Sequence, residues 1–98
     1  MKSRAEILRL LEENRERIKT FGVMEIGVFG SVARGEQTEN SDVDVVVELE
    51  NKTFDAYMSL LFFLEELFGC KVDLVMKGSI KPVIKEEILS EAIYVQKT

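Results

Sequence analysis

The sequence has no histidine and only one cysteine. Without histidine, every mechanism that needs an imidazole base or an imidazole metal ligand is excluded. The single cysteine, Cys70, cannot form a disulfide within the chain, and its place between Gly69 and a predicted strand favours a small packing residue over a nucleophile. These features fit an intracellular, reducing location, and we expect a cytoplasmic protein.

The sequence also lacks long apolar runs and an excess of positive charge. Its longest apolar run, LLFFL, is far too short to span a bilayer, and its charged N-terminus is not typical of a signal peptide, so we expect no membrane association. The net charge is −5, from 18 acidic and 13 basic residues, which is unfavourable for direct binding of nucleic acid phosphates. At 98 residues the chain is predicted to be one domain, residues 1–98.

The stretch from Gly30 to Val47, GSVARGEQTENSDVDVVV, carries the strongest functional signal. It joins two predicted strands, Val23–Phe29 and Asp42–Leu49, which are rich in β-branched residues. Gly30 allows the backbone to approach a ligand closely, and the hydroxyl and N–H groups around Ser31 can be donated to phosphate oxygens. The residues after Gly30 are predicted to form a short helical turn whose N-terminus faces an anion.

Two aspartates open the second of these strands. Asp42 and Asp44 are two positions apart, so their carboxylates leave the same face, roughly 6.5–7 Å apart along the chain. An aspartate at the start of a strand is most often a solvated edge charge, but Asp44 interrupts the otherwise apolar run VDVVV. Because like charges on one strand face repel, the pair needs a cation or open solvent. The stretch therefore predicts a site for a nucleoside triphosphate and its metal ions.

The spacing of these residues resembles a known family. A glycine-serine pair, ten residues and then Asp-x-Asp, with ARG inside the spacer and SD at its end, is similar to the minimal nucleotidyltransferases of the DNA polymerase β superfamily, often encoded beside a HEPN-domain partner as its antitoxin. A later strand, KVDLV, looks like the one that carries the family's third carboxylate, here Asp73. The matching motif residues are Gly30, Ser31, Ala33, Arg34, Gly35, Ser41, Asp42 and Asp44.

The resemblance implies an enzyme that transfers a nucleotide, most simply AMP from ATP, to a hydroxyl of a HEPN-family ribonuclease toxin. Asp42 and Asp44 would hold two Mg²⁺ ions, and Asp73 would complete the second metal site or take the proton. Gly30 and Ser31 would bind the β- and γ-phosphates. Arg34 has two interpretations, a phosphate contact or a pair with an acidic neighbour.

A second interpretation of function is not catalytic. In it the chain would keep the nucleotidyltransferase fold and silence a toxin by masking its surface. The three carboxylates favour catalysis, because a steric inhibitor gains nothing from an acidic cluster. Nucleotide addition to a tRNA or an antibiotic is disfavoured by the negative charge. The acceptor, the preferred base and the oligomeric state, including a homo-oligomer, stay open.

The predicted fold is α/β (α+β), a polymerase β-like nucleotidyltransferase fold with a small mixed sheet flanked by helices. The first helix starts with a Ser3–Glu6 capping box and ends before Phe21, with a Glu13–Arg17 pair on its surface. The first strand is predicted to place Met24, Ile26 and Val28 on one face. The crossover through the helix from Thr53 to Phe68 predicts that the second and third strands are parallel and close.

Three further features of the chain are predicted less sharply. The last helix starts near Gly78-Ser79 with Val83, Ile84, Ile88 and Leu89 packing inward, and the tail AIYVQ is either a strand or an extended segment. The Thr53–Phe68 helix has two apolar stripes, and the second is either buried under the terminal helices or exposed as a partner interface. The first stripe consists of Phe54, Tyr57, Met58, Leu61, Leu64 and Phe68, and the second of Leu60, Phe63 and Leu67, with Phe62 on the far flank.

Overall fold

The computed structural model describes residues 2–38 and 41–96. Four strands form one sheet in the order β3-β2-β1-β4, with helices on both faces. This confirms the predicted α/β fold with a small mixed sheet. The elements are α1 (Arg4–Glu13), α2 (Arg15–Lys19), β1 (Val23–Phe29), α3 (Gly30–Arg34), β2 (Val43–Leu49), α4 (Phe54–Phe68), β3 (Val72–Met76), a 3₁₀ turn (Lys77–Ser79), α5 (Pro82–Glu91) and β4 (Ile93–Gln96).

Pairing in the sheet follows from the connections. The parallel pairing of β2 with β3 is confirmed, because α4 provides the crossover between them. α4 begins at Thr53, whose hydroxyl accepts from the Ala56 N–H, and ends at Gly69 in the left-handed conformation. β1 pairs antiparallel with both β2 and β4, so the C-terminal tail forms an edge strand.

Different helices pack against the two faces of the sheet. Alternate residues Val43, Val45 and Val47 of β2 point to one face, where they join the main core beneath α1, α2 and α4. The opposite face carries a smaller apolar cluster of Phe29, Val46 and Ile80, against which α5 packs. Asp44 alternates with the main-core residues of β2, so its carboxylate lies on this less covered face.

The first helix is divided, which the sequence did not predict. Its capping box between Ser3 and Glu6 is confirmed. α1 then ends at Asn14, whose side-chain amide donates to the Leu10 carbonyl at 2.8 Å. An asparagine that binds the carbonyl four residues earlier competes with the helical hydrogen bonds, and α2 starts afresh after it. Arg17 beyond this break lies with its guanidinium 5.4 Å from the Phe63 ring centroid.

The predicted alternation of β1 is wrong at its start. An irregularity between Val23 and Glu25 shifts the register against β2. Val23 therefore joins the buried main core with Ile26 and Val28, whereas Met24 is 41% exposed. A bulge inserts one residue in a strand and so reverses the faces of the residues before it.

The inward packing of α5 is only half confirmed. Ile88 and Leu89 pack against the cluster of Phe29, Val46 and Ile80. Val83 and Ile84, in the first turn, are 86% and 44% exposed. Of these four residues, only the two in the later turns of α5 therefore pack against the cluster.

α4 buries residues from both predicted stripes: Leu64 and Phe68 come from the first stripe and Leu60 comes from the second. Leu60, Leu64 and Phe68 are buried, whereas Phe54 and Phe62 are 75% and 60% exposed. Leu60 belongs to the predicted second stripe, and its companions Phe63 and Leu67 are half-buried against the main core. Arg17 of α2 and Phe21 contact Phe63, so the interpretation in which the terminal helices cover the second stripe is favoured over an exposed interface.

The Phe63 ring lies 5.3 Å from the Phe21 ring, between centroids. A surface pocket of about 400 Å³ lies beside it, lined by Arg17, Phe63, Glu66 and Leu67. None of the helices in the described part of the chain has the length and apolar character needed to cross a bilayer.

Candidate active site

Asp44 and Asp73 form the centre of the candidate site. They are register partners on the adjacent parallel strands β2 and β3, as the crossover predicted. Asp44 is half-buried and Asp73 is exposed. Asp42 lies just before β2, is exposed, and is close enough for its charge to act on Asp44. The structure therefore brings the three predicted carboxylates to one end of two neighbouring strands.

Crowding among these carboxylates changes the acidity of Asp44. Burial, and after it the charges of Asp73 and Asp42, together raise the pKa of Asp44 from its ordinary value of 3.8 to about 6. The close approach of the Asp73 side chain contributes to this rise. Neighbouring carboxylates that repel each other mark a place where a cation would be stabilising.

Gly30 allows this arrangement through its missing side chain. Its backbone has a φ of +69°, in the left-handed region. A Cβ atom at this position would overlap Oδ2 of Asp44 and lie 3.0 Å from its Cγ. Gly30 therefore lets the turn after β1 sit directly against the Asp44 carboxylate, and any side chain there would move that carboxylate.

The short helix α3 is held at both ends by side chains distant in sequence. The Gly30 N–H donates to Oε1 of Glu91 at 2.8 Å, and the Arg4 guanidinium donates to the Ala33 carbonyl at 2.9 Å. Gly35, with φ +72°, ends the helix. The predicted helical turn is confirmed, but the amide of Gly30 is engaged with a carboxylate of this chain. Phosphate binding by Gly30 and Ser31 stays a prediction.

Arg34 pairs with acidic residues, which is one of the two interpretations left open by the sequence. Its Nε donates to Glu36 at 2.7 Å, and its Nη1 lies 3.2 Å from Oε2 of Glu91. Hydrogen bonds to Glu36 and then to Glu91 raise the pKa of Arg34. The side chain is half exposed, and its Nη2 group makes no hydrogen bond with residues 2–38 or 41–96. A phosphate contact thus stays a prediction compatible with this pairing.

Several residues that build the site gave no functional signal in the sequence. Glu91 lies 61 positions from Gly30, and Arg4 lies 29 positions from Ala33. In the sequence both were ordinary charges on amphipathic helices. No local motif links such pairs, because only the strand order of the sheet brings α1 and α5 to opposite ends of α3. Two α4 side chains also bind β3: Tyr57 donates to the Leu74 carbonyl and Glu65 accepts from the Val72 N–H.

The donor set of the site suits a hard cation. Carboxylate oxygens are the preferred ligands of Mg²⁺, which is usually held by one or two carboxylates together with substrate phosphates and water. Within residues 2–38 and 41–96, no three acidic or cysteine side chains converge into a ready-made metal cage. The three predicted carboxylates thus lie near one another without converging on one point. The paired carboxylates of Asp44 and Asp73 mark the position where a cation would relieve the repulsion.

Comparisons with known proteins agree with this geometry. The family model for the nucleotidyltransferase domain matches residues 7–95. A protein from Thermococcus cleftensis named protein adenylyltransferase MntA is 49% identical over 85 residues, which cover 86% of this chain and 83% of that protein.

Solved structures show the same likeness. One, provisionally described as a minimal nucleotidyltransferase, has a TM-score of 0.73 and 38% identity, covering 88% of this chain and 93% of that chain. Another, a toxin-antitoxin crystal structure with AMP-PNP, has a TM-score of 0.70 and 26% identity over 99% of this chain and 75% of that chain.

Proposed function

The chain belongs to the nucleotidyltransferase domain family, and on this basis we propose that it transfers AMP from ATP to a hydroxyl group of a protein acceptor. The observation that carries the proposal is the pairing of Asp44 with Asp73 beside the Gly30–Ser31 turn. A carboxylate pair next to a turn that can approach phosphates suits attack at the α-phosphate. The relative named MntA, at 49% identity, is a protein adenylyltransferase, which supports this choice of acceptor.

The reaction balances without a redox partner. The acceptor oxygen forms a bond with the α-phosphorus, the bond from that phosphorus to the bridging oxygen of the β-phosphate breaks, and pyrophosphate leaves. The acceptor proton goes to a nearby base. Asp73 suits that role because its carboxylate is exposed beside Asp44 and can reach an incoming hydroxyl.

The other residues of the site bind and orient. Ser31 and the backbone around Gly30 would bind the β- and γ-phosphates, and Arg34 would donate its free Nη2 group to the same phosphates. Asp42 and Asp44 would hold two Mg²⁺ ions, which would neutralise the phosphates and lower the pKa of the acceptor hydroxyl. Gly30 would keep the Asp44 carboxylate in place, because it leaves room for Oδ2.

The proposed acceptor is a HEPN-family ribonuclease toxin, which the chain would silence as an antitoxin in the cytoplasm. The toxin-antitoxin structure with AMP-PNP, 26% identical to this chain, supports a toxin as the partner and an adenine nucleotide as the substrate. In this proposal residues 1–98 act as one minimal nucleotidyltransferase domain, and the partner supplies the acceptor hydroxyl.

Isotope position in ATP tests the reaction type. The chain is incubated with Mg²⁺, its HEPN partner and ATP labelled at either the α- or the γ-phosphate. We expect α-label in the partner and γ-label in pyrophosphate. Entry of γ-label into the partner would identify phosphate transfer instead. Tight binding and inhibition of the partner without any label would favour the non-catalytic masking function.

A further inference from the structure

Glu91 links the two parts of the site that face the proposed phosphate position. Its Oε1 accepts from the Gly30 N–H at 2.8 Å, and its Oε2 lies 3.2 Å from Nη1 of Arg34. One carboxylate thus holds both the first backbone amide of α3 and the guanidinium at its end. The side chain is 24% exposed, so solvent has limited access to these bonds.

The position of Glu91 is fixed on both sides along the chain. One turn before it, Ile88 and Leu89 pack against the cluster of Phe29, Val46 and Ile80. Immediately after it, Ile93 and Tyr94 pair with Val28 and Gly27 of β1. Because packed and paired segments flank Glu91, its carboxylate is a firm support rather than a freely moving group.

Hydrogen bonds to two glutamates fix the orientation of the Arg34 guanidinium. Glu36 takes its Nε and Glu91 takes its Nη1. A guanidinium is planar, so fixing two of its nitrogens also fixes the direction of the third. The third nitrogen, Nη2, has no hydrogen bond within residues 2–38 and 41–96, on a side chain that is half exposed.

We propose that Glu91 is a positioning residue, which orients Arg34 and the Gly30–Ser31 turn to receive the triphosphate of ATP. This inference rests on the proposed function, and it concerns binding of the leaving phosphates rather than proton transfer. Glu91 itself does not touch the substrate. Its negative charge lies near the triphosphate and repels it, which weakens ATP binding. The same carboxylate orients the groups that bind the phosphates.

The direction in which Glu91→Gln changes the affinity for ATP separates this role from its alternatives. Glu91→Gln keeps the shape and an oxygen for the Gly30 N–H but removes the charge that holds Arg34. Simple charge repulsion predicts tighter ATP binding by this variant. The same result is expected if Glu91 occupies the phosphate position and must be displaced. A positioning role predicts weaker binding.

The experiment is calorimetric titration with an ATP analogue whose α- and β-phosphates are joined by a methylene group, in the presence of Mg²⁺. Glu87→Gln is the matched control, since Glu87 is exposed on the same helix and the same charge is removed. We expect Glu91→Gln to raise the Kd about tenfold and Glu87→Gln to leave it within about twofold. In transfer assays the KM for ATP should rise about tenfold while kcat stays within about threefold.

A double substitution tests whether Glu91 acts through Arg34. In an Arg34→Ala background, we expect the added Glu91→Gln change to have no further effect beyond about twofold. Thermal melting by circular dichroism verifies that each variant is folded. Equal Kd values for Glu91→Gln and Glu87→Gln, or tighter binding by Glu91→Gln, would overturn the inference. Failure of the wild-type chain to bind the analogue at all would instead overturn the proposed function.

Discussion

Asp44 and Asp73 face each other across the parallel strands β2 and β3, and the Asp73 carboxylate is close enough to raise the pKa of Asp44. Such a pair is unstable without a proton or a cation, because both groups cannot comfortably ionise side by side. The protein keeps this arrangement at the edge of its core, where apolar packing from Val43 and Val45 holds the strand in place. Replacing Asp44 is therefore expected to raise the stability of the fold and to lower the transfer activity.

The pH dependence of the free energy of unfolding, measured on the metal-free chain, should show the cost of keeping the Asp44 carboxylate beside Asp73. The pKa of Asp44 in the folded chain, about 6, lies above its ordinary value of 3.8, so the folded chain binds the proton more tightly than the unfolded chain. The group therefore destabilises the fold above pH 6, and this penalty disappears as the pH falls toward 3.8.

Asp44→Asn isolates this contribution. We expect urea denaturation at pH 7 without metal to find the variant more stable than the wild type by about 1 kcal/mol, a figure discounted for solvent screening. The difference should shrink at pH 4. Glu50→Gln, an exposed position just after β2, is the control for loss of one charge. A variant less stable than the wild type at pH 7 would contradict the repulsion argument.

Gly30→Ala should affect function more than folding. The added Cβ would force the Asp44 carboxylate to rotate, which a side chain can do at modest cost. Gly69→Ala is a close control, since Gly69 has φ +68° and an added Cβ would meet nothing within 4 Å. Both variants should lose about 1–2 kcal/mol of stability from the left-handed backbone.

Transfer activity should then separate the two glycine variants. We expect Gly30→Ala to fall by about 10²-fold or more, because the reacting groups are displaced. Gly69→Ala should stay within about threefold of the wild type. Similar activities for the two variants would show that the close approach of Gly30 to Asp44 is not required.

Asp73→Asn separates proton transfer from nucleotide binding. If Asp73 acts on the acceptor hydroxyl, the transfer rate should fall by about 10²-fold or more while the Kd for ATP stays within a few-fold. Single-turnover kinetics and calorimetry measure these two quantities. A proportional loss of ATP binding would instead make Asp73 a ligand of the nucleotide metal.

Neighbouring phenylalanines of α4 should respond differently to a charge. Phe63 packs against Phe21 and the main core, so Phe63→Glu should destabilise the isolated chain by about 2–3 kcal/mol. Phe62 is 60% exposed, so Phe62→Glu should stay within about 0.5 kcal/mol of the wild type. Thermal melting by circular dichroism compares them. Equal melting temperatures would show that the Phe63 ring adds little to the core.

Local signals in the sequence predicted much of the fold. The Ser3–Glu6 capping box and the limits of α4 at Thr53 and Gly69 depend on residues within one turn of each other, and all three are confirmed. The parallel pairing of Asp44 with Asp73 is not local. It was still predictable, because a strand, a helix and a strand have one preferred connection.

What the sequence did not predict depends on contacts between distant elements or on small irregularities. The helix break at Asn14 and the bulge after Val23 each involve one residue in an otherwise regular pattern. Glu91 looked like any surface charge of a helix, because its partners Gly30 and Arg34 are 61 and 57 positions away. The motif around Gly30 thus indicated the chemistry of the site. Only the folded structure shows which distant residues hold that motif in place.

Transfer of label from α-labelled ATP by carboxylate variants tests the central claim most directly. The wild type, Asp44→Asn and the exposed control Asp55→Asn are compared with the same HEPN partner and Mg²⁺. We expect labelling of the partner by the wild type and by Asp55→Asn within about threefold of each other, and a loss of about 10³-fold or more with Asp44→Asn. Equal labelling by Asp44→Asn and the wild type would contradict the account.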